Sequence, residues 1–194
     1  VITLAKTDEP ADLAGVKKLV IGASWDASSG NYGGFLGRFK KAVGCDLDLI
    51  AIAMRNGQPV RLAGLDSQDP MGNGSLYHTG DEQSGHSSGD DEQVIVDFDK
   101  LPSPVDAIVF VAAAFKKGNS FADARNISFK VYDATGGTQQ QVADIWPSLL
   151  GGKNACAIAK AVKGADGWTF EVLEDFGSIR QDDDQSLMQF AVGK

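Results

Sequence analysis

The chain is poor in sulfur: of its 194 residues only Cys45 and Cys156 are cysteines. Two thiols cannot build a disulfide framework, so a thiol-tolerant, cytoplasmic compartment is expected. No apolar run approaches the roughly 18 residues that a membrane span needs. The opening Val1-Ile2-Thr3-Leu4-Ala5-Lys6 does not resemble a signal peptide. Bases are scarcer than acids, 18 against 26, and the net charge of −8 disfavours nucleic acid as a main partner. Also missing are the Gly-x-Ser-x-Gly elbow, the phosphate-binding loop and the His-Glu-x-x-His helix, each of which would announce an enzyme. No internal repeat and no proline-rich linker divides the chain. One domain spanning 1–194 is expected, and 43% apolar residues suffice for its core.

What is present reads mainly as strands. Lys17–Trp25, Asp46–Met54, Glu92–Phe98, Val105–Phe115 and Asn126–Tyr132 are short, rich in Val, Ile and Phe, and bounded by Gly, Asn, Asp or Pro. Within Asp46–Ile50 the acids and leucines alternate, which sends Leu47 and Leu49 to one face and Asp46 and Asp48 to the other. Asn154–Val162 and Trp168–Leu173 flank a glycine-bearing turn at 163–167, a hairpin signal. Helix is expected only as a short turn at Phe121–Arg125 and over Asp182–Ala191, whose acids favour a helix start. Many short strands with one or two short helices predict an all-β fold, a β-sandwich. Two glycine-rich stretches, Ala27–Gly44 and Asp66–Gly89, are expected to be long loops of functional weight.

The charge is concentrated. Ten acids lie between Asp66 and Asp106 with Lys100 as the only base among them, so this stretch carries −9 and everything else +1. Crowded carboxylates repel one another, and a bound divalent cation removes that cost. Calcium takes about six to eight oxygens in forgiving geometry. Asp81, Asp90, Asp91 and Glu92, spaced by Gly and Ser, supply hard oxygens on a bendable backbone. No thiolate or imidazole pair lies close by, which disfavours zinc and copper. Asp81 to Glu92 has the length and the end residues of an EF-hand loop, yet His86 stands where its turn glycine belongs and the flanks read as strands. The EF-hand reading fails. A solvated acidic surface and a cation site both remain open from spacing alone.

The residues resemble the TerD family of tellurite-resistance and general stress proteins. The matching pieces run in family order: Gly22-Ala23-Ser24-Trp25-Asp26, Cys45-Asp46-Leu47-Asp48-Leu49, His78-Thr79-Gly80-Asp81, Gly89-Asp90-Asp91-Glu92-Gln93, Phe121 to Asn126, and Val131-Tyr132-Asp133. They span roughly 15–175, and residues 176–194 match nothing in the family pattern. The resemblance implies a β-sandwich whose acidic loops bind calcium at one end. It implies a non-catalytic role in bacterial resistance to tellurite, phage or other chemical stress. Carried over residue by residue, the implied ligands are Asp26, Asp46, Asp48, Asp81, Asp90, Asp91 and Glu92, enough for one or two ions. The family's aromatic–Asn pair before the acidic loop is replaced by Leu65-Asp66-Ser67-Gln68, where Asp66 offers a substitute, and Glu82 stands where Asn is common. Partners are expected to be proteins of a stress-resistance complex, with docking near the inner membrane surface.

Other residues read more plainly. His78 is expected on a strand beside the site and His86 on a surface loop. Cys45 is expected semi-buried and Cys156 in the core, while Trp25, Trp146 and Trp168 are expected in core or edge packing. The basic–aromatic piece Phe35-Leu36-Gly37-Arg38-Phe39-Lys40-Lys41 is either a solvent loop or a contact for an anionic membrane or a partner. Two alternatives to a docking module stay open: a cation-dependent hydrolase using the Asp cluster, and a self-associating subunit that calcium only stabilises.

Overall fold

The computed structural model describes residues 2–27, 47–80, 90–118, 120–148 and 152–194. Two six-stranded sheets face each other. The strands are β1 (Ile2–Thr3), β2 (Ala11–Asp12), β3 (Lys18–Ala27), β4 (Asp48–Arg55), β5 (Gln58–Ala63) and β6 (Leu76–His78), followed by β7 (Glu92–Asp97), β8 (Ala107–Ala113), β9 (Ala124–Asp133), β10 (Gln140–Ile145), β11 (Ala155–Lys163) and β12 (Trp168–Gly177). The first sheet runs β1-β10-β9-β3-β7-β6 and the second β2-β12-β11-β8-β4-β5. Every pairing between them is antiparallel except the two-residue parallel match of β1 with β10. The expected all-β sandwich is what forms.

Strand periodicity builds the core. Leu19, Ile21 and Ala23 of β3, Val94 and Val96 of β7, and Phe129 and Val131 of β9 face Leu49 and Ala51 of β4, Phe110 of β8 and Phe170 of β12. β4 is buried on both faces along nearly its whole length, because a second apolar layer covers the outside of its sheet. There Ile50, Ile52 and Met54 meet Val109, Val111, Ile179 and Leu187. Leu187 belongs to α1 (Asp184–Phe190), a little shorter than the expected Asp182–Ala191. Asp183 caps that helix by accepting from the Ser186 N–H at 3.0 Å. That bond first, and Arg180 next, hold the Asp183 carboxyl below the usual carboxylate range. The tail lies close to the sheet: a Cβ on Gly177 would overlap the Phe190 ring.

Several elements differ from the sequence expectation. β5 was not expected, because Pro59 and its polar neighbours mask it; an edge position tolerates proline. Its turn was nonetheless legible, since Asn56 and Gly57 both take positive φ, 51° and 73°, as a two-residue hairpin with Asn-Gly demands. β10 is likewise an addition. The expected loop 66–89 is interrupted by β6, and the helical turn expected over Phe121–Arg125 ends at Asp123, where β9 takes over. Trp25 and Trp168 pack partly buried against the core, Trp168 stacking on Phe98 at 4.7 Å. Trp146 corrects the packing expectation: it stands 57% exposed beyond the end of β10.

Candidate metal centre

One end of the sandwich gathers the acids. β3 ends at Ala27, β4 begins at Asp48, β6 ends at His78 and β7 begins at Glu92. β3 and β7 pair with Ala23 opposite Glu92, and Glu92 Oε2 accepts from the Leu49 N–H of β4 at 2.6 Å. These links place the end of β3 and the starts of β4 and β7 together. Asp26 occupies a register position opposite Arg125 at this same end. Asp46, Asp81, Cys45, His86 and the basic–aromatic stretch 35–41 lie outside the described residues.

The three consecutive acids that look like one cluster in the sequence go to different layers. Asp90 lies on the outer face of the first sheet, its side chain 1% exposed. Its Oδ1 accepts from Lys130 Nζ at 2.8 Å and Ser24 Oγ at 3.2 Å, and its Oδ2 from the Tyr132 hydroxyl at 2.7 Å and Gln93 Nε2 at 3.0 Å. Two donors on each oxygen fill the acceptor capacity of a carboxylate. Burial, and then the bond to Asp90, push the Tyr132 phenol up from its ordinary value, so it stays a proton donor. Gly22 makes the room, for a Cβ there would overlap the carboxylate.

Asp91 instead clamps the end of β3. Its N–H donates to the Ala23 carbonyl at 2.7 Å and its Oδ2 accepts from the Trp25 N–H at 3.0 Å. This clamp sits beside the register shift between Ser24 and Asp26. Glu92, 3% exposed, turns inward between the sheets. There it meets His78 Nε2 at 3.3 Å as well as the Leu49 N–H. His78 Nδ1 accepts from the Gly80 N–H at 3.0 Å, which assigns the neutral ring's proton to Nε2 and aims it at Glu92. Asp48 is 6% exposed and lies beside Ile50, Leu62 and Asp66 on the outer side of the second sheet. Asp66 sits in a tight turn closed by paired hydrogen bonds between Gly64 and Ser67.

The structure brings the end of β3 and the starts of β4 and β7 together and sends the side chains of Asp90, Asp91 and Glu92 to different layers. Period-two alternation sends successive residues to opposite faces. Among the described residues no group of three or more metal-ligating side chains is close enough to hold an ion. What the described residues offer at this end is carboxylate oxygen, with the one imidazole already spent on Glu92 and Gly80. That donor chemistry fits a hard cation, although these residues alone do not complete its cage. Sequence reasoning missed Lys130, Tyr132 and Gln93 as partners of Asp90. The signal was a lysine and a tyrosine two apart on one strand face, but the strand lies 40 residues downstream.

Among the described residues His78 and Glu92 are buried, and the Cys156 thiol is pushed up to about 12, by burial first and then by Glu174 and Asp175. Among the described residues no helix is long and apolar enough to cross a membrane.

Comparisons with known proteins agree with this architecture. The chain is 27% identical over 171 residues to the stress response protein SCP2 of Bacillus subtilis (strain 168), covering 82% of this chain and 83% of that one. It is 26% identical over 189 residues to the tellurium resistance protein TerX of Serratia marcescens, covering 81% and 83%. The crystal structure of a homologue of telluride resistance protein (TerD) from Streptomyces coelicolor A3(2) superposes with a TM-score of 0.65 at 19% identity, over 92% of this chain and 97% of that one. At that identity the match speaks for the fold alone. The family model for the TerD domain matches residues 2–177, and the chain belongs to the TerD domain family.

Proposed function

We propose that this chain is a non-catalytic docking module of a bacterial stress-resistance system, tellurite resistance included, and that calcium organises its acidic end. The supporting observation is that the end of β3 and the starts of β4 and β7 meet where Asp91 clamps β3 and Glu92 ties β7 to β4. Relatives named for tellurium resistance and stress response, none of them named as an enzyme, support the biological half of the reading.

The described residues divide the labour. Asp90 and Glu92 spend oxygens within the frame, and Asp91 lies at the end of β3, one oxygen accepting from the Trp25 N–H. One or two ions would then be held by Asp91 with Asp26, Asp46 and Asp81, and Asp48 lies on the far side of β4. Calcium supplies charge neutralisation and hard-oxygen coordination. The protein supplies the pre-formed strand ends. The ordered, neutralised surface docks a protein partner, with the basic–aromatic stretch 35–41 turned to the same partner or to the inner membrane surface.

Terbium, which replaces calcium and luminesces when a nearby indole is excited, tests the ligand assignment. Trp25 adjoins Asp91, so excitation near 280 nm gives terbium emission that calcium displaces. Asp91→Asn weakens that binding at least tenfold, whereas Asp90→Asn lowers the melting temperature and leaves terbium stoichiometry intact. Equal loss of terbium in both variants would overturn the division of roles. Emission absent from the parent chain would overturn the site.

A further inference from the structure

The C-terminal residues 178–194 lie outside the matched TerD domain and help to line a groove. Between α1, the 64–67 turn and the start of β4 is a cavity of about 210 Å³. Its floor is apolar, with Ile50, Leu62, Phe115 and Leu187, while Asp48, Asp66, Asp182 and Asp184 stand around it and Lys116 is the base among the described residues that line it. A more open depression of about 570 Å³ continues from it, sharing Asp66, Phe115, Asp182 and Asp184 and adding Asp183 and Arg180. Arg180 is already bonded to Asp183 at 2.8 Å, and Asp182 accepts from the Lys117 N–H at 3.2 Å, while Asp66 and Asp184 stand exposed at the rim.

Size, lining and charge select the occupant. The deep part is smaller than the ~300–1,000 Å³ of ordinary small-molecule sites, but it suits one long side chain. A metal ion is a poor fit, since half the lining is apolar and the described residues hold no group of three ligands. A lysine or arginine side chain lays its methylenes on apolar surface and keeps its charged head among acids. The open depression then takes the neighbouring residues of the same segment.

We propose that this groove docks a basic peptide segment of a partner protein, a lysine or arginine flanked by apolar side chains. The inference names the surface used by the docking module argued above and rests on that reading; it does not depend on calcium. The peptide acetyl-Leu-Arg-Phe-Lys-Leu-amide serves as the test ligand, titrated into the full chain and followed by amide chemical shifts. Saturable shifts are expected at residues 62–67, 115–117 and 180–187, and none with the glutamine analogue acetyl-Leu-Gln-Phe-Gln-Leu-amide. Asp66 and Asp184 are exposed, so Asp66→Asn/Asp184→Asn keeps the fold and the melting temperature while weakening the peptide at least tenfold. Asp66→Lys/Asp184→Lys abolishes binding. Three results would overturn the proposal: no groove shifts at millimolar peptide, equal binding of the glutamine analogue, or equal competition by spermidine. Dimerisation in sedimentation that the lysine variant alone loses would also overturn it, by naming a second copy as the occupant. Calcium titration of the parent chain separates the two claims, because failure of the peptide to bind a chain that still binds calcium refutes only the groove.

Discussion

Replacing Glu92 by alanine is expected to cost about 3–5 kcal/mol, more than any other single change at the acidic end. Its Oε2 is the acceptor for the Leu49 N–H and for His78 Nε2, and all three groups are buried. Truncation leaves two buried donors unpaired at roughly 1–3 kcal/mol each and removes packed methylene groups worth about 0.8 kcal/mol apiece. For a domain of this size the melting temperature falls by roughly 10 °C. Glu92→Gln keeps one acceptor oxygen and is expected to lose less than half as much. The bond to Leu49 joins β7 in one sheet to β4 in the other, so the loss reports on how the two sheets are held at this end. Urea denaturation of both variants checks it, and a change below about 1 kcal/mol for the alanine variant would remove Glu92 from the frame.

Gly22→Ala is the second large effect, and it acts entirely through another residue. The added methyl displaces the Asp90 carboxylate and with it the bonds to Lys130, Tyr132, Gln93 and Ser24. Breaking a buried ion pair costs about 3–5 kcal/mol. Lys130 keeps 26% of its side chain exposed, and partial solvation lowers the expected cost to about 2–4 kcal/mol. The distinguishing result is coupling. In an Asp90→Ala background the glycine change adds no more than about 1 kcal/mol, since its main obstacle is gone. Additive losses in the double-mutant cycle would show that Gly22 is needed for its own backbone rather than for Asp90.

These two residues show where sequence reading succeeds and where it stops. The sandwich was legible because periodicity, β-branched content and turn chemistry agree along β3, β7, β8 and β9, and because Gly164 and Gly167 mark the β11–β12 hairpin, where their backbones pair at 2.7 Å. β5 escaped because proline and arginine obscure an edge strand, although Asn56-Gly57 announced its turn. The acidic run was legible in the sequence, but its geometry was not. Asp90-Asp91-Glu92 is one acidic run in sequence, and a strand start throws its members outward, alongside and inward. Nothing local to that run says that Lys130 and Tyr132 will cover Asp90, because their approach depends on β9 lying next to β3. Gly22 was visible as part of a motif, but its physical reason, room for a carboxylate from β7, is a tertiary fact. The groove beneath α1 could not be read either: it needs Asp66, Phe115 and Asp184 from three distant segments.

Calcium titration by calorimetry, with thermal melting of the same samples in excess chelator, is the measurement that bears most directly on this account. Binding of one or two ions in the micromolar range is predicted. At a free concentration a thousandfold above the dissociation constant the folded state gains about 4 kcal/mol, visible as a clear rise in melting temperature. Absence of heat together with an unchanged melting temperature would contradict it and leave the acidic end a solvated surface on a TerD-type sandwich.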